Sequence, residues 1–173
     1  MKNSLRMKIM HNNTGESTHD TLTLPEMNIE TIFGSGKLTD FIGNNLVIFF
    51  YPKDNTPGCT SQAILFTKYH EEFLRMDTQV VGVSRDTIKS HLNFSAKFQL
   101  SVNLISDENE EICGAFDVLK NKNMYGKIVK GIERSTFLFN RNGHLIKEWR
   151  KVSAEENPSE VLDFVKNNSH RLA

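Results

Sequence analysis

Cysteine is scarce in this chain: two residues among 173, Cys59 and Cys113. Two thiols do not make a disulfide scaffold, and the simpler expectation is a reducing, cytoplasmic setting. An excess of charge of one sign is missing too. Lys plus Arg and Asp plus Glu both number 21, so the net charge is zero. That balance argues against nucleic acid or an anionic membrane as the main partner. No apolar run approaches the ~20 residues of a membrane span, and the first residues lack the apolar stretch of a secretory signal. His11, His19, His70, His91, His144 and His170 are scattered without metal-ligand spacing. Surface or loop positions are expected for them, and no metal or other cofactor is implied. Internal repeats are absent as well.

What is present is ordinary globular composition, 38% hydrophobic and 24% charged. Residues 1–17 are polar and without period, so a disordered tail is expected there. Residues 18–173 are expected to form one domain with a substantial core. Thr21–Pro25 and Glu30–Phe33 read as short strands, with Gly34-Ser35-Gly36 as a turn. Leu46–Phe50 is an apolar run that reads as a strand. The first helix begins near Cys59, with Ala63, Phe66, Tyr69, Phe73 and Met76 at three- and four-residue steps. Gln79–Ser84 is the next strand. Asp86 is expected to cap a second helix that turns Ile88, Leu92, Ala96 and Phe98 inward. Val102–Ile105 is a short strand. Asp107 and Glu110 have the spacing of a capping box, before a helix holding Ile112, Phe116 and Leu119.

Residues 120–130, with four lysines around Met124-Tyr125-Gly126, read as a solvated loop or, more sharply, as a wall of the site. Ser135–Phe139 and His144–Trp149 flank Asn142-Gly143 as an antiparallel hairpin. Asn157-Pro158-Ser159-Glu160 opens the last helix, with Asn157 as its expected cap. From Leu46 onward the order is βαβαβαββα. That order predicts an α/β fold, a mixed central sheet flanked by helices on both faces.

Cys59 lies where such a strand, loop and helix meet. Free N–H groups converge at a helix start and favour an anion such as a thiolate. A packing cysteine would be expected mid-helix or mid-strand among apolar neighbours. This one sits between Gly58 and Thr60 in a polar, proline-bearing loop. A C-x-x-C dithiol is excluded because Thr56 holds the first position. A hydroxyl there can orient an oxygen bound at sulfur. Pro52 and Pro57 stiffen the loop, and Gly58 permits close approach. A free thiol ionises near pH 8.5, and a helix N-terminus lowers that by at most about 1.5 units. A cation is therefore expected as well, and Arg134 at the start of a strand could reach the loop.

The segment Phe50-Tyr51-Pro52-Lys53-Asp54-Asn55-Thr56-Pro57-Gly58-Cys59-Thr60 resembles the peroxiredoxin signature, in its bacterioferritin comigratory protein (PrxQ) form. Supporting stretches are Leu38–Phe41, Val83–Asp86, Ile105–Asp107 and Gly131–Leu138, so the resemblance runs from about Leu22 to Val165. It implies a thioredoxin-like fold and a thiol peroxidase acting on hydrogen peroxide and organic hydroperoxides. Cys59 would be the peroxidatic cysteine. Thr56 and the Cys59 N–H would hold the peroxide oxygens, Arg134 would stabilise the thiolate and developing charge, and Pro52 would shield the sulfur. The implied reductant is thioredoxin, glutaredoxin or a low-molecular-weight thiol, and the implied state is a monomer.

The chain departs from the family at the resolving thiol. One usual position is Ile64 here and the other aligns with Ser95. Cys113, beside the apolar stripe of its helix, is expected to be a packing residue. A one-cysteine enzyme resolved by an external thiol is therefore expected. The alternative is a redox sensor or holdase that uses Cys59 oxidation without turnover. A cysteine hydrolase stands third, since nothing near Cys59 in sequence supplies a histidine base.

Overall fold

Each position of the strand Asn45–Phe50 is buried, which requires cover on both faces of the sheet. The computed structural model describes residues 9–10 and 21–172. Its strands are β1 (Ile9–Met10), β2 (Thr21–Leu22), β3 (Asn28–Thr31), β4 (Gly34–Lys37), β5 (Asn45–Phe50), β6 (Thr78–Ser84), β7 (Asn103–Ser106), β8 (Leu119–Met124), β9 (Lys127–Ile132), β10 (Ser135–Phe139) and β11 (Leu145–Trp149). Its α-helices are α1 (Pro57–Arg75), α2 (Ile88–Phe98), α3 (Glu111–Ala115), α4 (Asn157–Asn167) and α5 (Ser169–Leu172). Seven strands form one sheet in the order β11-β10-β5-β6-β7-β3-β4. β5, β6 and β7 run parallel, while β10, β11, β3 and β4 pair antiparallel. This is the expected mixed sheet with helices packed over both faces.

Strand alternation divides the core in two. Ile48, Phe50, Val81, Val83, Ile105, Phe137 and Phe139 face one side, with Ile112, Cys113 and Phe116. Val47, Phe49, Val80, Leu104 and Leu138 face the other, with Cys59, Phe66, Phe73, Phe94 and Val161. The two cysteines therefore belong to opposite faces of the sheet.

Several local expectations are corrected. The turn before β4 is made by Ile32 and Phe33, not by Gly34-Ser35-Gly36. Thr31 Oγ1 accepts from Phe33 N–H and donates to Gly34 O, closing the turn early. Gly34 and Gly36 then pair with β3. Thr87, not Asp86, caps α2, accepting from Ser90 N–H at 3.0 Å. The buried residues of α2 are His91 and Phe94, while Leu92 and Ala96 are exposed. Asp107 accepts from the Ile112 and Cys113 amides, and Glu110 pairs with Arg85, so no capping box forms. α3 ends at Ala115, Phe116 follows it, and Leu119 belongs to β8. Asn157 is the first helical residue of α4, and its side chain turns inward instead of capping. Residues 120–130 are not a loop but most of an antiparallel ribbon, β8–β9, inserted before β10. The expected tail, 1–17, lies outside the described residues except Ile9–Met10, which pairs with Thr21–Leu22. His11 and His19 also lie outside them.

Candidate active site

The loop that carries the site leaves the end of β5 and enters α1 at Pro57. Thr56 is the N-cap in extended conformation, and Pro57 takes the first helical position, where its missing N–H costs nothing. The Gly58 and Cys59 amides, at the second and third positions, have no acceptor within the helix. The Thr56 hydroxyl donates to Lys53 O at 2.7 Å. Its hydrogen is thus committed, and its oxygen is left as an acceptor.

Arg134 meets this loop through sheet register. Ser135 pairs with Phe50, so the residue before β10 stands beside the point where the loop departs. Arg134 Nη2 donates to Cys59 Sγ at 3.3 Å, and Nη1 donates to Gln62 Oε1 at 2.7 Å. Gln62 is fully buried one turn after Cys59, and its Nε2 donates to Asn157 Oδ1. Thr136 Oγ1 donates to the same Asn157 oxygen at 2.7 Å. A buried amide relay from β10 and α4 therefore sets the guanidinium fork on the sulfur. Gln62 was not anticipated. Its signal was a polar side chain next to Ala63 and one step before Phe66 on an otherwise apolar stripe.

Gly58 matters to this contact. A Cβ placed on it would lie 3.3 Å from Arg134 Nη2 and 3.6 Å from Ala154 Cβ. Gly58→Ala is expected to favour the helix by up to ~1 kcal/mol yet displace the guanidinium. Peroxide reduction should slow several-fold with the melting temperature unchanged or raised. A full rate in the variant would show that Arg134 need not lie against Gly58.

A second cluster holds the loop from behind. The buried Asp54 carboxylate accepts from Tyr51 OH at 2.7 Å and Ser90 Oγ at 2.8 Å. It also shares a hydrogen with His91 Nδ1 at 2.7 Å. His91 Nε2 donates to Ile105 O at 2.9 Å, and Asp54 N–H donates to Asp86 Oδ2. His91 is therefore a fully buried clamp between the loop, α2 and β7, not a surface residue. Ligand atoms of Asp54, Asp86 and His91 lie within 4.8 Å of one another, a spacing a cation could use. Each carboxylate is already engaged by donors of this chain, so hydrogen bonding accounts for the cluster. Pro52 is half-buried in the same loop.

Both cysteines are free and buried, Cys59 with 1% of its surface exposed. Burial, reinforced by the adjacent Asp107 carboxylate, pushes the Cys113 thiol far above its ordinary range. Cys113 therefore stays protonated and is a poor nucleophile. Of the usual resolving positions, Ile64 is 42% exposed and Ser95 is half-buried, its hydroxyl donating to Leu100 O at 3.3 Å. The structure thus brings together Cys59 and Arg134, with Thr56 and Pro52 on the adjoining loop, and keeps Cys113 apart.

The AhpC/TSA family model matches residues 20–148. Peroxiredoxin Bcp of Xanthomonas campestris is 50% identical over 124 residues, 72% of this chain and 78% of the relative. Peroxiredoxin Bcp of Bacillus subtilis is 44% identical over 135 residues, 78% of this chain and 86% of the relative. Among solved structures, the Xanthomonas campestris bacterioferritin comigratory protein, described for its alkyl peroxide reduction activity, is 44% identical. It covers 83% of this chain and 92% of its own, with a TM-score of 0.79. A cysteine-to-serine mutant of Xylella fastidiosa PrxQ is 36% identical, covers 95% of this chain and 98% of its own, and has a TM-score of 0.81.

Proposed function

Because this chain belongs to the AhpC/TSA family, in its Bcp/PrxQ peroxiredoxin group, we propose that Cys59 is the attacking sulfur of a one-cysteine enzyme. The chain is a thiol-dependent peroxidase with a thioredoxin-like fold. The observation that carries the assignment of Cys59 is the Arg134 Nη2 to Sγ contact of 3.3 Å at the start of α1. A positive guanidinium and helix amides without an acceptor in the helix are donors aimed at the sulfur and at the oxygens that react there.

The chemistry follows from these groups. The Cys59 thiolate attacks the terminal oxygen of a hydroperoxide. The S–O bond forms as the O–O bond breaks, and the leaving alkoxide or hydroxide takes a proton from water. Cys59 is oxidised to sulfenic acid and the peroxide is reduced to an alcohol or water. The Thr56 oxygen accepts the peroxide O–H, while Arg134 and the Cys59 amide donate to the oxygens as charge develops. Pro52 shields the sulfur from bulk water. Organic hydroperoxides are proposed substrates alongside hydrogen peroxide, in keeping with the alkyl peroxide activity of the Xanthomonas relative.

Regeneration uses an external thiol, whether thioredoxin, glutaredoxin or a low-molecular-weight thiol. Two thiols reduce the sulfenic acid, giving Cys59, one disulfide and water. The support is positional: Cys113 is on the opposite face of the sheet, and a direct bond would need Cα atoms within ~6.8 Å. Mass analysis after one equivalent of peroxide tests this. A gain of one oxygen on Cys59 is expected, and a Cys59–Cys113 disulfide would sink the one-cysteine reading. Sustained peroxide consumption with excess dithiothreitol separates an enzyme from a sensor, which stalls after one oxidation.

Ser95→Cys is expected to form a disulfide with Cys59 after peroxide treatment, through local unwinding of helix ends. Ser95 and its neighbour Phe94 lie on α2, which packs in the same half of the core as Cys59. Non-reducing peptide mapping in a Cys113→Ser background reads the result. An introduced thiol still free beside sulfenic or sulfinic Cys59 would show that the unwinding does not occur.

A further inference from the structure

We propose that the β8–β9 ribbon is a docking tip for an anionic lipid bilayer. Its fourteen residues, 119–132, include Lys120, Lys122, Lys127 and Lys130 and no acidic residue, in a chain of zero net charge. The ribbon forms its own two-stranded sheet. Its base is tied down: Glu133 N–H donates to Val118 O at 2.7 Å, and Arg85 bridges Lys130 O and Glu110. Six residues per strand carry the tip ~20 Å beyond that base.

The tip is apolar and bare. Tyr125 is 100% exposed, Ile128 76%, Met124 52% and Val129 38%. Such a cluster on a projecting element marks a contact surface. Register decides what kind. Asn123 pairs with Ile128, whereas Lys122 pairs with Val129 and Met124 with Lys127. Ile128 therefore lies on one face of the ribbon, Met124 and Val129 on the other, and Tyr125 in the turn. A flat protein partner covers one face only. A bilayer interface surrounds an inserted tip and covers both.

The cations are placed to match. Lys127 starts its strand beside the turn, and Lys122 and Lys130 follow two and three cross-strand pairs behind it. Lys120 is farther back and already faces Asp117 at 3.3 Å. Lys127 and Lys130 have no side-chain partner among the described residues, and Lys122 donates only to the Ile132 carbonyl at 3.4 Å, so all three keep their charge without an acidic partner. Lysines so placed behind an apolar tip with a tyrosine are the arrangement that seats a protein at a headgroup layer. No helix of the described residues is long and apolar enough to cross a membrane, so the contact is peripheral. This inference stands on the ribbon alone and does not depend on the role of Cys59.

Co-sedimentation with vesicles tests it, using phosphatidylcholine alone and phosphatidylcholine mixed with phosphatidylglycerol. The full chain should pellet with the mixed vesicles and stay in solution with neutral ones. Each lysine near the surface is worth about a fivefold change in partitioning. The triple variant Lys122→Gln, Lys127→Gln, Lys130→Gln should therefore bind on the order of a hundredfold more weakly. Tyr125→Ser with Ile128→Ser should also release the chain. Both variants should keep peroxide turnover in solution, which shows that they are folded. No pelleting of the full chain, or pelleting unaltered in both variants, overturns the proposal. Capture by soluble polyglutamate without vesicle binding would instead assign the lysines to an acidic protein partner. A dimer dissolved by the tip variant would assign the tip to a second copy. Either result overturns the bilayer.

Discussion

Cys59→Ser should reduce peroxide turnover to the uncatalysed background, while Cys113→Ser should keep most of it. The asymmetry comes from surroundings, since both thiols are buried and free. Cys59 has Arg134 Nη2 at 3.3 Å and lies at the open end of a nineteen-residue helix. A serine oxygen there stays protonated at neutral pH and is a far weaker nucleophile, so no part of the machinery can compensate. Cys113 has the reverse environment, a buried site beside the Asp107 carboxylate that disfavours the thiolate. Serine is smaller and more polar, so Cys113→Ser should cost ~1–2 kcal/mol of stability through packing. Steady-state peroxide consumption with excess dithiothreitol, beside thermal melts, measures both effects. Equal loss of turnover in the two folded variants would count against a single catalytic thiol.

Arg134→Met should slow peroxide attack by about a hundredfold, the usual effect of deleting one donor aimed at developing charge. The methionine keeps much of the side-chain volume but removes the charge and both hydrogen bonds, to Cys59 Sγ and Gln62 Oε1. Gln62→Leu provides the partner experiment. It leaves Arg134 in place but removes the acceptor that orients it, so a smaller loss is expected. Arg134→Lys should fall between the two, because an ammonium supplies charge without the planar fork. Single-turnover mixing with peroxide, followed by quench and mass analysis of Cys59, gives the rates. An Arg134→Met rate equal to that of the unaltered chain would remove Arg134 from the chemistry and leave the helix start alone responsible.

Much of the fold is legible because its signals are local. The run Leu46–Phe50 and the stripe through Ala63, Phe66 and Phe73 carry their own periods, and both match the buried positions. The misread parts are those where a local pattern is outweighed by a distant contact. Ile88 and Leu92 show a four-residue step that reads as an inward face. α2 instead buries His91 and Phe94, because the His91 ring finds Asp54 and Ile105 O. Asn157 has the appearance of a cap, yet its amide is claimed by Gln62 and Thr136. The lysine-rich stretch 120–130 has too little apolar alternation to read as strands. Its pairing comes from the ladder between β8 and β9.

The sequence by itself determined where the proposed attacking thiol sits. Pro52, Thr56, Pro57, Gly58 and Cys59 are close neighbours, so loop, cap and helix start are decided by their own backbone preferences. It also determined the absence of a thiol at Ile64 and Ser95. Only the tertiary structure decided that Arg134 touches a sulfur 75 positions away, that Gln62 and Asn157 hold it there, and that His91 clamps the loop from 37 positions beyond Asp54. It alone decided that Cys113 faces the other half of the core. The reason is that residue spacing dictates which way a side chain points from its own strand or helix. Which distant group it meets depends on strand order and register, which emerge when the whole sheet is assembled.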